Sequence, residues 1–194
     1  PENMVLVLVG NIKAQQISGR INAAFGRLAA KPSPERKVYQ NLEIKGRKQY
    51  SAKVGFYPQV AMVFNGVPAG HPDEDALDIA LALLNNNSQT GTMDKLVLDG
   101  ELTSAGAYTR TFREQGRAIV AAIPLYDEIQ RRFESTKSAE KKALKAIQQI
   151  ANGEFEDWKI DAIKAEKCRQ FDLEMESNED KAMILMNAFY NEQD

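Results

Sequence analysis

Two periodicities alternate along this chain, and the places where one gives way to the other lay out its elements. Met4-Val-Leu-Val-Leu-Val9 is a continuous apolar run closed by Gly10-Asn11, which predicts a strand buried on both faces. From Ile12 to Leu28 the apolar residues Ile17, Ile21, Ala24, Phe25 and Leu28 recur at helical spacing. Pro32 and Pro34 end that helix in an extended connector. Val38, Leu42 and Ile44 fall on alternate positions and predict a half-buried strand, whereas Gly46 to Tyr50 is too polar for a core and predicts a loop or exposed edge. A further strand is expected over Val60 to Val67, punctuated by two glycines and two prolines between Gly66 and Pro72. Asp73 to Asn85 carries Ala76, Leu77, Ala80, Leu81 and Leu84 on one stripe, with three acids in its first turn, where the helix dipole favours them.

The polar run Asn85 to Gly91 breaks that helix, and Met93 to Leu98 predicts a short one. Gly106 to Phe112 and Ala118 to Ile123 read as a hairpin turning through Glu114-Gln-Gly116. From Tyr126 onward the pattern is helical, in pieces around Ser138 to Ala151, Phe155 to Leu173 and Asn178 to Tyr190. Their predicted buried stripes are Leu144, Ile147 and Ala151; Phe155, Trp158, Ala162 and Ala165; and Ala182, Leu185, Met186 and Phe189. Strands concentrated early and helices late predict the α+β class, with a mixed, largely antiparallel sheet covered by helices mainly on one face.

Composition narrows the function without naming it. At 194 residues, with 43% hydrophobic and 27% charged residues, the chain is long enough for one sizeable core, and a single domain over 1–194 is expected. It starts at Pro1 and enters an apolar run within three residues, as expected of a segment cut from a longer polypeptide. A net charge of -2 with both signs interspersed offers no basic face, so no nucleic-acid partner is expected. No apolar run approaches the ~20 residues that cross a bilayer, so no membrane partner is expected either. Bacterial periplasm and cytoplasm both stay open as compartments.

Candidate chemistry is sparse. The Gly10-Asn11 turn before a helix lacks the further glycines of a dinucleotide fingerprint, with Lys13, Ala14 and Gln15 where close approach is needed, so an ordinary strand-to-helix turn is expected. His71, Asp73, Glu74 and Asp75 are metal-ligand types, but Asp73 sits at an N-cap position, and a capped helix is the expectation. With His71 the only histidine and no G-x-S-x-G elbow, no catalytic triad can be assembled. Cys168 stands among helical residues and reads as a packing or surface thiol. The mixed lysines and acids of the C-terminal third read as a solvated face. Tyr108, Arg110 and Phe112 share one strand face, expected to be core with a snorkelling arginine rather than a ligand-contacting surface.

The succession of Asn3 to Asn11, Ala24-Phe-Gly-Arg-Leu28, the strand before His71-Pro-Asp73, the helix Ala76 to Leu84, and Gly153-Glu-Phe-Glu-Asp157 with Lys164 resembles the second domain of a half-unit in the pitrilysin/insulinase family of zinc peptidases. That resemblance implies a clamshell of duplicated α+β domains around a chamber, with an inverted H-x-x-E-H zinc motif on one domain only. His71-Pro-Asp-Glu-Asp75 lacks the second histidine, so no catalytic and no metal-binding residue is expected here, and zinc is expected on a sister domain. Family members can hold the substrate carbonyl with an arginine and, seven positions later, a tyrosine. Tyr108 resembles that tyrosine and is the candidate substrate-binding residue, but seven positions earlier stands Glu101. An anion there would repel a developing oxyanion, so either this half is structural or an insertion near Asp99-Gly100 shifts the alignment.

The expected function is that of a non-catalytic domain of a pitrilysin-like zinc metalloendopeptidase, forming part of a peptide-binding chamber. Its expected partners are sister domains of the same polypeptide or a homologous subunit, and a peptide substrate. The alternative is a structural or binding module from an inactive family member acting as a partner subunit. A third reading, an unrelated α+β enzyme using Asp73, Glu74 and Asp75, is the weakest.

Overall fold

The computed structural model describes residues 4–29, 31, 32, 37 and 43–191. In chain order these form α1 (Ala14–Phe25), β1 (Val60–Gly66), α2 (Glu74–Ala82), α3 (Thr92–Leu98), β2 (Leu102–Thr111), β3 (Gly116–Pro124), β4 (Tyr126–Asp127), β5 (Arg132–Phe133), α4 (Thr136–Ala151), α5 (Trp158–Glu174) and α6 (Asn178–Asn191). They divide into two compact units, one drawn from Pro1–Gln40 and Cys168–Asp194, the other Asn41–Lys167. The fold is α+β, and every strand pair among the described residues is antiparallel.

The larger unit is built on a sheet of order β1-β3-β2. Side chains alternate across a strand, so the register decides which residues share a face. Val60 and Met62 pair with Ala122 and Val120, which pair in turn with Ala105 and Ala107; this row set meets the helices. On β3 the alternation is complete, with Gly116, Ala118, Val120, Ala122 and Pro124 buried and the residues between them half-buried. Leu81 and Leu84 from the α2 end, Met93 from α3, and Ala139, Ala143 and Ala146 from α4 close the core over that face. An alanine stripe lets α4 lie close to the strands, so the predicted stripe through Leu144 and Ala151 is displaced: both are exposed, and only Ile147 of that set packs on the core. A linked set of polar contacts ties α5 to the same unit, with Lys167 Nζ 3.1 Å from Asp78 Oδ2 and the Thr109 hydroxyl donating to Asp78 Oδ1 at 2.6 Å.

Three expectations are corrected. Met4–Val9 forms no strand, and Met4, Val5, Leu6 and Leu8 are exposed. An apolar run becomes a strand only where another backbone accepts its N–H and C=O groups, and no ladder partner is present among the described residues. The chain after Tyr126 is not yet helical: Asp127 Oδ1 accepts from the N–H groups of Ile129 and Gln130, Arg131 takes φ 52°, and β4 pairs with β5 under an edge-on Tyr126–Phe133 contact at 5.0 Å. The β2–β3 hairpin turns at Arg113-Glu114, because Phe112 and Gln115 already exchange backbone hydrogen bonds. Of the strand predicted over Val38 to Ile44, residues 38–42 lie outside the described set; Ile44, at its end, exchanges two hydrogen bonds with the Asn65 side chain, at 2.9 and 3.2 Å.

The smaller unit has a different character. Neither α1 nor α6 contains a buried residue, and Phe25, Leu28, Leu185, Met186 and Phe189 are exposed despite their helical spacing.

Candidate functional site

The face of the sheet turned away from the helices is the most distinctive surface of the larger unit. The register stacks Val63, Ile119 and Tyr108 in one row; Ala61, Ala121 and Gly106 in the next; and Asn65, Arg117 and Arg110 in the row on the other side, nearest the hairpin turn. Tyr108 is 47% exposed, and Val63, Arg110 and Phe112 are exposed as well. The expectation that Tyr108, Arg110 and Phe112 form core is therefore overturned: the helices pack on the opposite face, through Ala105 and Ala107. The sequence pattern could not show this, because tyrosine, isoleucine and valine suit either side of a sheet.

Glu101 is held elsewhere. It precedes β2, and Lys142 of α4 donates to its backbone oxygen at 2.8 Å while standing 3.9 Å from its carboxylate. The same ammonium lies 3.3 Å from Glu134 Oε2. A hydrogen bond from the Ser138 hydroxyl is the main cause that holds the Glu134 carboxyl below its ordinary value; burial opposes it, and Lys142 adds to the lowering. Between Glu101 and Tyr108 the ladder slips, with Leu102 opposite Pro124 and Ser104 opposite Ile123, so Thr103 is an extra, bulged residue. Its hydroxyl donates to Pro124 O at 2.7 Å and accepts from Tyr126 N at 3.1 Å. The bulge makes eight sequence positions out of seven ladder positions, and counting back from Tyr108 either way reaches Glu101 or Gly100, never an arginine. Tyr108 thus has no cationic companion from the preceding turn; its cationic neighbours are Arg110, two residues on, and Arg117 across the ladder.

The His71 region is a turn. His71 Nδ1 accepts from Asp73 N at 3.1 Å, and Glu74 Oε2 accepts from Gly70 N at 2.7 Å. Asp73 makes no side-chain cap on α2, which corrects the capping expectation: the carboxylate of Glu74, one residue on, reaches back instead. Among the described residues no three His, Cys, Asp or Glu side chains come together to hold a metal ion, so this stretch does not fit zinc. Cys168 is exposed.

One buried polar group was not foreseen. Asp94 of α3 is almost wholly buried, and its carboxylate accepts from Asn86 N and Gly91 N at 3.0 Å each and from the Asn85 amide. Asn86 in turn binds Ala82 O and the Thr90 hydroxyl. The polar run that reads as a simple helix breaker is a hydrogen-bonded clamp around the start of α3. A signal was available, since Asp at the third helical position after a glycine is a capping pattern. A cleft of about 350 Å³ lies beside it, lined among others by Asn85, Asn87, Gln89, Ser104 and Ala105.

No curated protein matches this chain. Among solved structures it is similar to a crystal structure of a protease from Helicobacter pylori, at 17% identity and a TM-score of 0.73, covering 95% of this chain and 44% of that one. The likeness extends to the fold, and the chain spans less than half the length of that protein. Residues 1–167 match the family described as the Peptidase M16 inactive domain, and the chain therefore belongs to that family, the inactive C-terminal domain of the pitrilysin/insulinase peptidases.

Proposed function

We propose that this domain forms part of the wall of a peptide-holding chamber in a pitrilysin-like zinc metalloendopeptidase, without taking part in bond cleavage. The observation that carries the reading is the open sheet face, where Val63 and Tyr108 stand exposed and the half-buried Ile119 lies between them, while the opposite face is sealed by α2, α3 and α4. An extended peptide can lie along such a face, its apolar side chains against Val63 and Tyr108 and its backbone over the small residues Ala61, Gly106 and Ala121. Tyr108 would contribute apolar contact and a phenolic hydroxyl to the substrate chain. Zinc would be held on a sister domain, of the same polypeptide or of a homologous subunit, where it lowers the pKa of a bound water.

The test uses the full-length protein and a peptide substrate. Val63→Asp and Tyr108→Ala are expected to raise KM about tenfold, the scale of one lost apolar or aromatic contact. Lys145→Asp, at an exposed position of α4, is expected to leave it unchanged. His71→Ala is expected to retain the full zinc content. An unaltered KM in both open-face variants overturns the chamber role, and loss of zinc in His71→Ala overturns its placement.

A further inference from the structure

Resting on the chamber reading, we propose that the cleft beside the Asp94 clamp grips an extended peptide by its backbone amides, whatever side chains the peptide carries. At about 350 Å³ the cleft falls within the range of small-ligand pockets. Its loop wall is fixed before anything binds: Asp94 accepts from the Asn85 amide and from Asn86 N, and the Asn86 side chain in turn holds Thr90. That leaves Asn87 and Gln89 with unused amides. Both are exposed, and among the described residues no hydrogen bond or ion pair engages either side chain. Gln89 takes φ 56°, a left-handed conformation uncommon outside glycine, so the loop carries a strained residue at the cleft.

Another wall comes from the start of β2, through Thr103, Ser104 and Ala105. β2 is an edge strand, and among the described residues no backbone group other than those of β3 pairs with it. The Thr103 bulge interrupts even that ladder here. Ser104 is exposed with its hydroxyl unengaged, and it lies on the same face of β2 as Gly106 and Tyr108, four residues or about 13 Å from the latter. One wall of the cleft is thus the end of the open face. The chemistry of the walls selects the occupant. Side-chain amides and a free strand edge each present a donor and an acceptor without charge, which is the complement of a peptide group. The one acid, Asp94, is consumed by its three hydrogen bonds, and among the described residues neither a cation nor an aromatic ring lines the cleft. An ion therefore finds no counter-charge and a sugar ring no stacking partner, whereas Val97 and Leu98 offer apolar contact to a peptide's side chains.

The experiment titrates the full-length protein with a fluorescent, capped peptide of serine, glycine and leucine, and with versions N-methylated at single successive residues. Each methyl group removes one backbone donor and leaves every side chain in place. At one position or more it is expected to weaken binding about tenfold, the scale of one hydrogen bond left unmade. Asn87→Ala/Gln89→Gly removes both amides, and glycine suits the backbone of residue 89, which guards against misfolding. This variant is expected to bind the unmethylated peptide about tenfold more weakly and to cut the penalty at one of those positions below about threefold, the mark of a lost pairwise contact. Gln89→Asn keeps an amide and should retain part of the affinity. Unaltered affinity of the double variant, or penalties that keep their native size at every position, overturns the proposal. If that happens while Tyr108→Ala weakens the unmethylated peptide, the cleft fails and the chamber reading stands. If neither variant weakens it, both fail. Binding of maltotetraose that the double variant loses, with peptide affinity unaltered, would assign the cleft to a sugar and overturn the peptide.

Discussion

The two faces of one three-stranded sheet differ in what they tolerate, and β3 carries the contrast within single residues. Val120 is 1% exposed under the helices, and Ile119 beside it is half-buried on the open face. Both are β-branched and both sit in the central strand, so neither propensity nor position separates them. The difference lies in what covers them: three helices on one side, and no packed helix of the larger unit on the other. A face closed by its own chain serves stability, and a face left apolar and open is free to serve a partner.

The sharpest test of this contrast places the same charge on each side. Val120→Asp buries a carboxylate with no partner and is expected to cost about 4 kcal/mol or more, enough to prevent folding of a marginal domain. Ile119→Asp is expected to cost about 1 kcal/mol, within the span of strand propensities. Urea denaturation of the two variants checks the ranking, and equal losses would mean that the open face is covered in the folded protein.

Glycines sharpen the same comparison. A Cβ on Gly116, at the start of β3, would run into the backbone oxygen of Val67, which is main chain and would have to move. On Gly106, in the middle of β2 on the open face, a Cβ would meet nothing within 4 Å. Gly116→Ala is expected to lower stability by about 2 kcal/mol, as for other overpacked sites. Gly106→Ala should be neutral or raise it by up to about 1 kcal/mol by restricting the unfolded chain. Thermal melts distinguish them.

The Asp94 clamp belongs to the covered side, being next to Met93 in the core. Asp94→Ala leaves the N–H groups of Asn86 and Gly91 without their acceptor and is expected to cost about 1 to 3 kcal/mol. Hydrogen exchange at those two amides is expected to accelerate first. Unchanged protection there would show that the loop is held by Asn86 and Thr90 alone.

How much of this was legible in the sequence depends on whether a feature is local. The helices from Glu74, Thr92, Thr136, Trp158 and Asn178 follow from spacing, and the β2–β3 hairpin from two apolar runs around a polar turn. The family and its fold followed from order and spacing across the chain. What was not legible depends on partners. Met4–Val9 has the composition of a buried strand but no neighbour to pair with among the described residues. Leu144 sits in a helical stripe, yet the alanines Ala139, Ala143 and Ala146 take the sheet because closeness, not hydrophobicity, decides which face packs. The Arg110–Arg117 row required the register, and a turn one residue longer would have taken one arginine to the other face.

The smallest expected effect concerns pH and lies on the covered side's rim, where α4 meets the turn before β2. The Ser138 hydroxyl and Lys142 hold Glu134 below the ordinary glutamate value of about 4.3, while burial and Asp127 push the other way. A carboxyl depressed in the folded state contributes stability that is fully present above its unfolded value and lost as pH falls through the folded one. The window therefore opens near pH 4.3 and extends below it. Glu134 is 37% exposed, so solvent screening limits the contribution to about 0.5 kcal/mol. Glu134→Gln should lower the urea midpoint slightly at pH 6 and leave it closer to the native value at pH 3.5, where the native carboxyl is protonated to a greater extent than at pH 6. Lys142 also grips the backbone of Glu101, so Lys142→Met should have the larger effect at pH 6, and part of its loss should persist at pH 3.5. A loss that vanished entirely at pH 3.5 would mean that the ammonium acts only through its charge on Glu134, and that the turn preceding β2 is positioned by the strand alone.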